Sequence, residues 1–114
     1  MHMTPSKVGD ILVVVVEDRR IDAAVAVRFK DRMQELTDET CQRVILDLSK
    51  VEFLDSSGLG AVVGSMKQLN QECALDLAGL TPTVDKVFRI TRMDRVVRIF
   101  GTVQEALEEA ADVA

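Results

Sequence analysis

The sequence has no tryptophan or tyrosine and only four phenylalanines, so it offers few aromatic faces on which bases could stack. It also has no basic block: 14 lysines and arginines are outnumbered by 19 acidic residues, for a formal net charge of -5. A nucleic-acid binder carries a clustered basic stripe to neutralise phosphates, so direct nucleic-acid binding is not expected. Histidine occurs once, as His2, which leaves Ser-His-Asp chemistry without a well-placed base. The nucleophile elbow G-x-S-x-G and the phosphate loop G-x-x-x-x-G-K-[ST] are both missing. No lysine is placed by spacing for a serine–lysine pair, and no metal-ligand cluster exists. These absences predict a protein that is not an enzyme and holds no metal and no cofactor.

Long apolar runs are missing too. The longest is "ILVVVV", residues 11–16, against the roughly 20 residues needed to cross a bilayer. The opening "MHMTPSKVGD" lacks the apolar region of a signal peptide. The expectation is a cytoplasmic protein without membrane insertion. Cys41 and Cys73 stand alone, with no C-x-x-C spacing, and read as small buried hydrophobes in a reducing compartment rather than a disulfide or metal site.

What is present fits one domain over residues 1–114, with 47% hydrophobic and 29% charged residues. "ILVVVV" is β-branched and too short for an ordinary helix, which predicts a strand buried on both faces. Residues 4–8 can pair with it through a turn at Gly9-Asp10. From Ala23 to about Glu39, Ala24, Val27, Phe29, Met33 and Leu36 recur at helical spacing between charged residues. "RVILDL" (43–48) reads as another buried strand and "SKVEF" as a short connection. In the stretch that follows, Leu59, Val62, Val63, Met66 and Leu69 share a helical face. "CALDLAGL" (73–80) reads as a strand. Thr81 and Pro82 start a further helix, Thr81 as cap and Pro82 at the first helical position. "RVVRIF" (95–100) is a last strand, and Thr102 with Glu105 forms a T-x-x-E capping box for a final helix to about Ala111. The order β-β-α-β-α-β-α-β-α predicts an α/β fold: a mostly parallel mixed sheet of four to five strands with an antiparallel edge, packed by about four helices.

Within this order "FLDSSGLG", residues 53–60, falls between a strand and the start of the second helix. Asp and Ser satisfy the unpaired N–H groups of a helix start, so Asp55 or Ser56 is the expected cap. A cap needs neither the second serine nor Gly58. Glycine in the first turns of a helix costs up to about 1 kcal/mol relative to alanine. Close packing against the sheet is one compensation; a bare backbone that a macromolecule or phosphate can approach is the other. A phosphate there would meet free N–H groups and the positive end of the helix dipole.

The stretch "RVILDLSKVEFLDSSGLGAVVGSMKQL" closely resembles the central motif of bacterial anti-sigma factor antagonists, which are STAS-domain proteins. The similarity extends through nearly the whole chain, including Ile21-Asp22 and "VFRITRMDRVVRIFGTVQEAL". It implies a phosphorylation-switched binding module whose unphosphorylated form binds an anti-sigma factor that is also a serine kinase, thereby freeing a sigma factor. The first serine of the motif is the phosphoacceptor in that family, which implies Ser56 here. Asp22, Asp55, Ser57, Gly58 and Leu59 are implied as the surface that partner and kinase recognise. A serine phosphatase is implied as the enzyme that resets the switch, and a monomer is expected. A solvated loop acid or a helix cap remains an alternative role for Asp22.

Three departures from the family pattern stand out. Arg19 and Arg20 occupy the usual Gly-Glu positions, "NQE" replaces glycines after the second helix with Asn70 as a possible left-handed cap, and Thr91-Arg92 replaces a common Ser-Gly pair. A non-switched STAS adaptor subunit of a lipid-transport or signalling complex is the alternative role. Such members often lack the phosphorylatable serine, so its presence favours the switch. A small enzyme or nucleotide-binding domain is the remaining class and has no motif behind it.

Overall fold

β1 (Met3–Val8) and β2 (Ile11–Val16) form an antiparallel hairpin whose two-residue turn uses Gly9 at φ +62°. The chain continues through β3 (Arg20–Ile21), α1 (Ala26–Thr37), β4 (Arg43–Asp47), β5 (Phe53–Leu54), α2 (Ser56–Gln68), β6 (Ala74–Ala78), α3 (Pro82–Ile90), β7 (Arg98–Phe100) and α4 (Val103–Val113). This computed structural model describes residues 2–37, 43–69 and 73–113. The main sheet has the order β1-β2-β4-β6-β7, antiparallel at β1 and parallel elsewhere. The α/β architecture expected from the sequence is therefore present, with five strands in the main sheet and four α-helices among the described residues.

The apolar runs of β2 and β4 follow from burial on both faces. Leu12, Val14, Val16, Val44, Leu46, Leu75 and Leu77 face α1, α2 and α3, where Phe29, Met33, Ala61, Val62, Val84 and Phe88 meet them. Val13, Ile45 and Ala78 face the other way and pack with Ala106 of α4. Successive β-α-β crossovers thus place three helices on one face, while the last helix covers the opposite one.

Several boundaries differ from expectation for local reasons. α1 starts at Ala26 rather than Ala23, because the Asp22 carboxylate accepts from the Ala24 N–H (3.1 Å) and its carbonyl accepts from Val25 and Ala26 (3.1 and 2.9 Å). The expected end at Glu39 lies outside the described residues, as does the Asn70 cap. The buried stripe of α2 is Gly58, Ala61, Val62 and Ser65; Leu59, Met66 and Leu69 pack at its margin and Val63 is half-buried. Small residues let this helix lie close to the sheet, so the large ones mark only the edge of its inner face.

Thr81 holds the N-cap position of α3, its carbonyl accepting from the Asp85 N–H (2.8 Å). Its hydroxyl makes no cap bond and instead donates to the Val51 carbonyl (2.9 Å), tying that helix to the chain between β4 and β5. In the expected capping box, the Glu105 N–H donates to the Thr102 hydroxyl (3.1 Å), but the Glu105 carboxylate takes the Gly101 N–H (3.2 Å). β7 starts at Arg98 because Met93–Arg95 form a 3-10 turn, entered through Arg92 at φ 62°. Arg92 thus holds a left-handed conformation, at a cost of about 1 kcal/mol, at the position where the family resemblance implies a glycine.

Cys73 is buried as a small apolar side chain would be, but it is disulfide-bonded, which corrects the reading of the cysteines as unbridged. Parallel register sets Ala74 beside Arg43 and so brings the start of β6 next to the start of β4, an adjacency that sequence spacing does not display. Cys41 lies outside the described residues.

Candidate functional site

A second, two-stranded sheet builds the site. β3 and β5 each have two residues and pair in parallel, Arg20 with Phe53 and Ile21 with Leu54. Neither is long enough to show alternation; in the sequence Phe53 reads as the end of a short connection, and Arg20–Ile21 is assigned no element. Ile21 and Leu54 point into the core, at 0% and 4% exposure, so Arg20 and Phe53 point outward. The ladder then delivers Asp22 and Asp55 side by side, with the Asp55 N–H reaching the Ile21 carbonyl at 3.4 Å.

α2 begins at this point. Asp55 is its cap: extended backbone, with Oδ1 accepting from the Gly58 N–H at 2.8 Å. Of the two candidate caps, the aspartate takes the role and Ser56 becomes the first helical residue. Ser56 and Ser57 are exposed, and no hydrogen bond to either hydroxyl is present among the described residues. With the Asp55 and Gly58 N–H groups satisfied, those of Ser56 and Ser57 are the two left over at this helix start. They lie at the positive end of the helix dipole.

The two glycines take different parts. A Cβ on Gly58 would stand 1.9 Å from the Ile21 carbonyl oxygen, so this position admits only glycine if α2 is to meet β3. A Cβ on Gly60 would have nothing within 4 Å. Of the two explanations weighed from sequence, close packing applies to Gly58 and open surface to Gly60.

The two arginines that depart from the family pattern are anchored to β5. The Arg19 carbonyl accepts from the Glu52 and Phe53 N–H groups (2.7 and 3.1 Å), and its side chain lies 3.6 Å from the Glu52 carboxylate. The Arg20 guanidinium sits 4.3 Å from the centre of the Phe53 ring, with Nε 3.4 Å from an Asp22 oxygen. Among the sequence-derived site residues, the structure brings Asp22, Asp55, Ser56 and Ser57 to one surface. Gly58 is buried beneath it, and Leu59 is half-buried against the core. Sequence reasoning gave no role to Phe53, which is 37% exposed beneath Arg20. The available signal was its place one residue before the inward Leu54.

Among the described residues, neither serine hydroxyl is hydrogen-bonded to a histidine or lysine. His2 is tied through its backbone to Asp18 and Glu17, with no hydrogen bond to Ser56. Among the described residues no group of three or more His, Cys, Asp or Glu could hold a metal ion. No helix among them is long and apolar enough to cross a membrane.

Comparison with known proteins places this geometry. Residues 3–106 match the STAS domain family. A candidate anti-sigma factor antagonist of Thermotoga maritima is 30% identical over 109 residues, spanning 94% of this chain and 96% of its own. The crystal structure of an anti-sigma factor antagonist from Mycobacterium paratuberculosis shares the fold with a TM-score of 0.86 at 22% identity, over 95% of this chain and 92% of that one. SpoIIAA, a Bacillus cell fate determinant, also shares the fold at 20% identity in two forms. The unphosphorylated form has a TM-score of 0.76 over 99% of both chains. The phosphorylated form has 0.69, over 96% of this chain and 99% of that one. On the family match and the Thermotoga relative, this chain belongs to the STAS domain family.

Proposed function

We propose that this chain is an anti-sigma factor antagonist whose binding is switched by phosphorylation of Ser56, acting in the cytoplasm as a non-catalytic partner. The observation that carries the reading is the exposed, unbonded Ser56 hydroxyl at the first position of α2, beside two spare N–H groups. Membership of the STAS family and the resemblance of "LDSSGLG" to the antagonists' motif support the choice of Ser56 over Ser57. SpoIIAA, of the same fold, occurs in unphosphorylated and phosphorylated forms.

In the unphosphorylated state the surface of Asp22, Ser56, Ser57 and the open backbone at Gly60 docks on an anti-sigma factor, which releases its sigma factor. Asp55 and Gly58 shape that surface from below by fixing the helix start, and Leu59 seats it on the core. The anti-sigma factor is also a serine kinase. It transfers the γ-phosphoryl group of ATP to Ser56 Oγ, the kinase's base takes the hydroxyl proton, and ADP leaves. The phosphate adds about 1.5 to 2 negative charges next to Asp22 and Asp55, and docking weakens through repulsion and desolvation. A serine phosphatase hydrolyses the ester and resets the surface. The helix start tolerates the anion, so the switch acts on affinity and not on the fold.

The test is incubation with ATP and the cognate kinase, followed by peptide mass mapping. One phosphate is expected on Ser56, none on Ser56→Ala, and an unchanged helical circular dichroism signal. Label retained in Ser56→Ala and lost in Ser57→Ala would transfer the role to Ser57.

A further inference from the structure

We propose that Arg20 couples the state of Ser56 to the docking surface: a phosphate on Ser56 draws the Arg20 guanidinium off Phe53 and Asp22 and uncovers the Phe53 ring. The inference rests on the reading of Ser56 given above. Its basis is the outer face of the β3–β5 pair. With Ile21 and Leu54 turned into the core, Arg20 and Phe53 stand outward, and Asp22 and Asp55 follow two residues further on, just past the ladder. Ser56 is the next residue after Asp55. Arg20 supplies the cation of this cluster, since the side chain of Arg19 is directed to Glu52.

Arg20 is held loosely. Its side chain is 63% exposed, and its contacts are one 3.4 Å approach to Asp22 and the 4.3 Å stack on Phe53. Exposed pairs and exposed cation–π contacts are each weak, so a stronger anion nearby can take the guanidinium. Phosphoserine is such an anion: close to a dianion at neutral pH, with three acceptor oxygens matched to the guanidinium fork. Placed beside two carboxylates, it is driven further toward the cation that already pairs with one of them. Once Arg20 leaves, the exposed Phe53 ring loses the cation on its face. Phosphorylation then changes the polarity and shape of the surface at Phe53, three residues before the modified serine, in addition to its charge.

The experiment uses the full chain with phosphoserine incorporated at position 56 during synthesis, so that no kinase is required. In the unphosphorylated protein the Arg20 Nε–H resonance is expected to carry the ring-current shift of Phe53. Phosphorylation should remove that shift. In a phosphorus NMR titration, the second ionisation of the phosphate is expected to rise by about half a pH unit or more in Arg20→Gln relative to the native residue. Arg19→Gln should leave it unchanged. An Arg20 resonance indifferent to the phosphate overturns the proposal, and this readout needs no variant to fold. A titration identical in Arg20→Gln and the native sequence, or moved equally by Arg19→Gln, overturns it as well. Failure of a kinase to label Ser56 strikes the functional reading alone.

Discussion

Toward the N-terminal end of the parallel strands, Asp76 sits in the middle of β6 with its side chain 3% exposed, clamped between Arg43 at 2.6 Å and Arg98 at 3.1 Å. Beyond the C-terminal ends, Asp22 meets Arg20 at 3.4 Å with the arginine 63% exposed. The chemistry is the same, carboxylate and guanidinium, but the surroundings reverse its use. Asp76 is buried, and both its oxygens accept from arginine, so it cannot exchange partners without stranding a charge. The hydrogen bonds to Asp76 hold the Arg98 guanidinium above its ordinary pKa, consistent with a committed pair. Asp22 and Arg20 keep water as a competitor, and they lie next to two serine hydroxyls with no partner of their own. One end of the sheet holds the fold together; the other can change its contacts.

The sharpest way to break this comparison is to remove each carboxylate. Asp76→Ala leaves Arg43 in a half-buried site without its counter-ion, and a loss of about 3 kcal/mol is expected in urea unfolding. Asp22→Ala removes an exposed pair and the turn bond to the Ala24 N–H, and should cost about 1 kcal/mol or less. Equal costs would erase the distinction between the two ends.

A second contrast lies within the site. Gly58→Ala drives a methyl group into the Ile21 carbonyl, a backbone atom that cannot rotate away. The expected loss is about 2 kcal/mol or more, net of the gain in helix propensity. Gly60→Ala meets no neighbour and should stabilise the helix by up to about 1 kcal/mol. The same methyl group covers open backbone on the proposed docking surface, so Gly60→Ala should bind the proposed anti-sigma partner more weakly than the native protein. Calorimetric titration beside thermal unfolding measures both. A Gly60→Ala protein more stable and equally tight would remove Gly60 from the interface.

Much of the fold was legible because its physics is contiguous in the chain. β2 and β4 announced themselves as apolar runs, since helices cover both faces of a parallel strand. The helix beginning near Ser56 was legible from its cap residues and from Leu59, Met66 and Leu69 at helical spacing. What escaped depends on residues far apart in sequence. Asp76, in "CALDLAGL", has the look of an ordinary alternating polar position; its burial follows from arginines 33 and 22 residues away. β3 and β5 have two residues each, and only their pairing makes them strands. Gly58 was recognisable as an oddity, but the Ile21 carbonyl that explains it lies on another strand. The candidate surface was therefore visible as a motif, while its flanking Arg20–Phe53 stack was not.

The smallest expected effects come from Asp55, which separates capping from charge at the flexible end. Asp55→Ala removes the acceptor for the Gly58 N–H and should cost about 1 kcal/mol, well below Gly58→Ala, because water can replace a cap but cannot relieve a backbone clash. Asp55→Asn retains an oxygen for that N–H and caps about as well, losing only the few tenths of a kcal/mol that a carboxylate gains from the helix dipole. If Asp55 only shapes the helix start, Asp55→Asn should dock on the unphosphorylated-state partner as the native protein does, and Asp55→Ala should dock less well. If the carboxylate itself touches the partner, both variants lose affinity while their unfolding free energies differ. Thermal unfolding and titration calorimetry on the same two proteins decide between a residue that builds the surface and one that belongs to it.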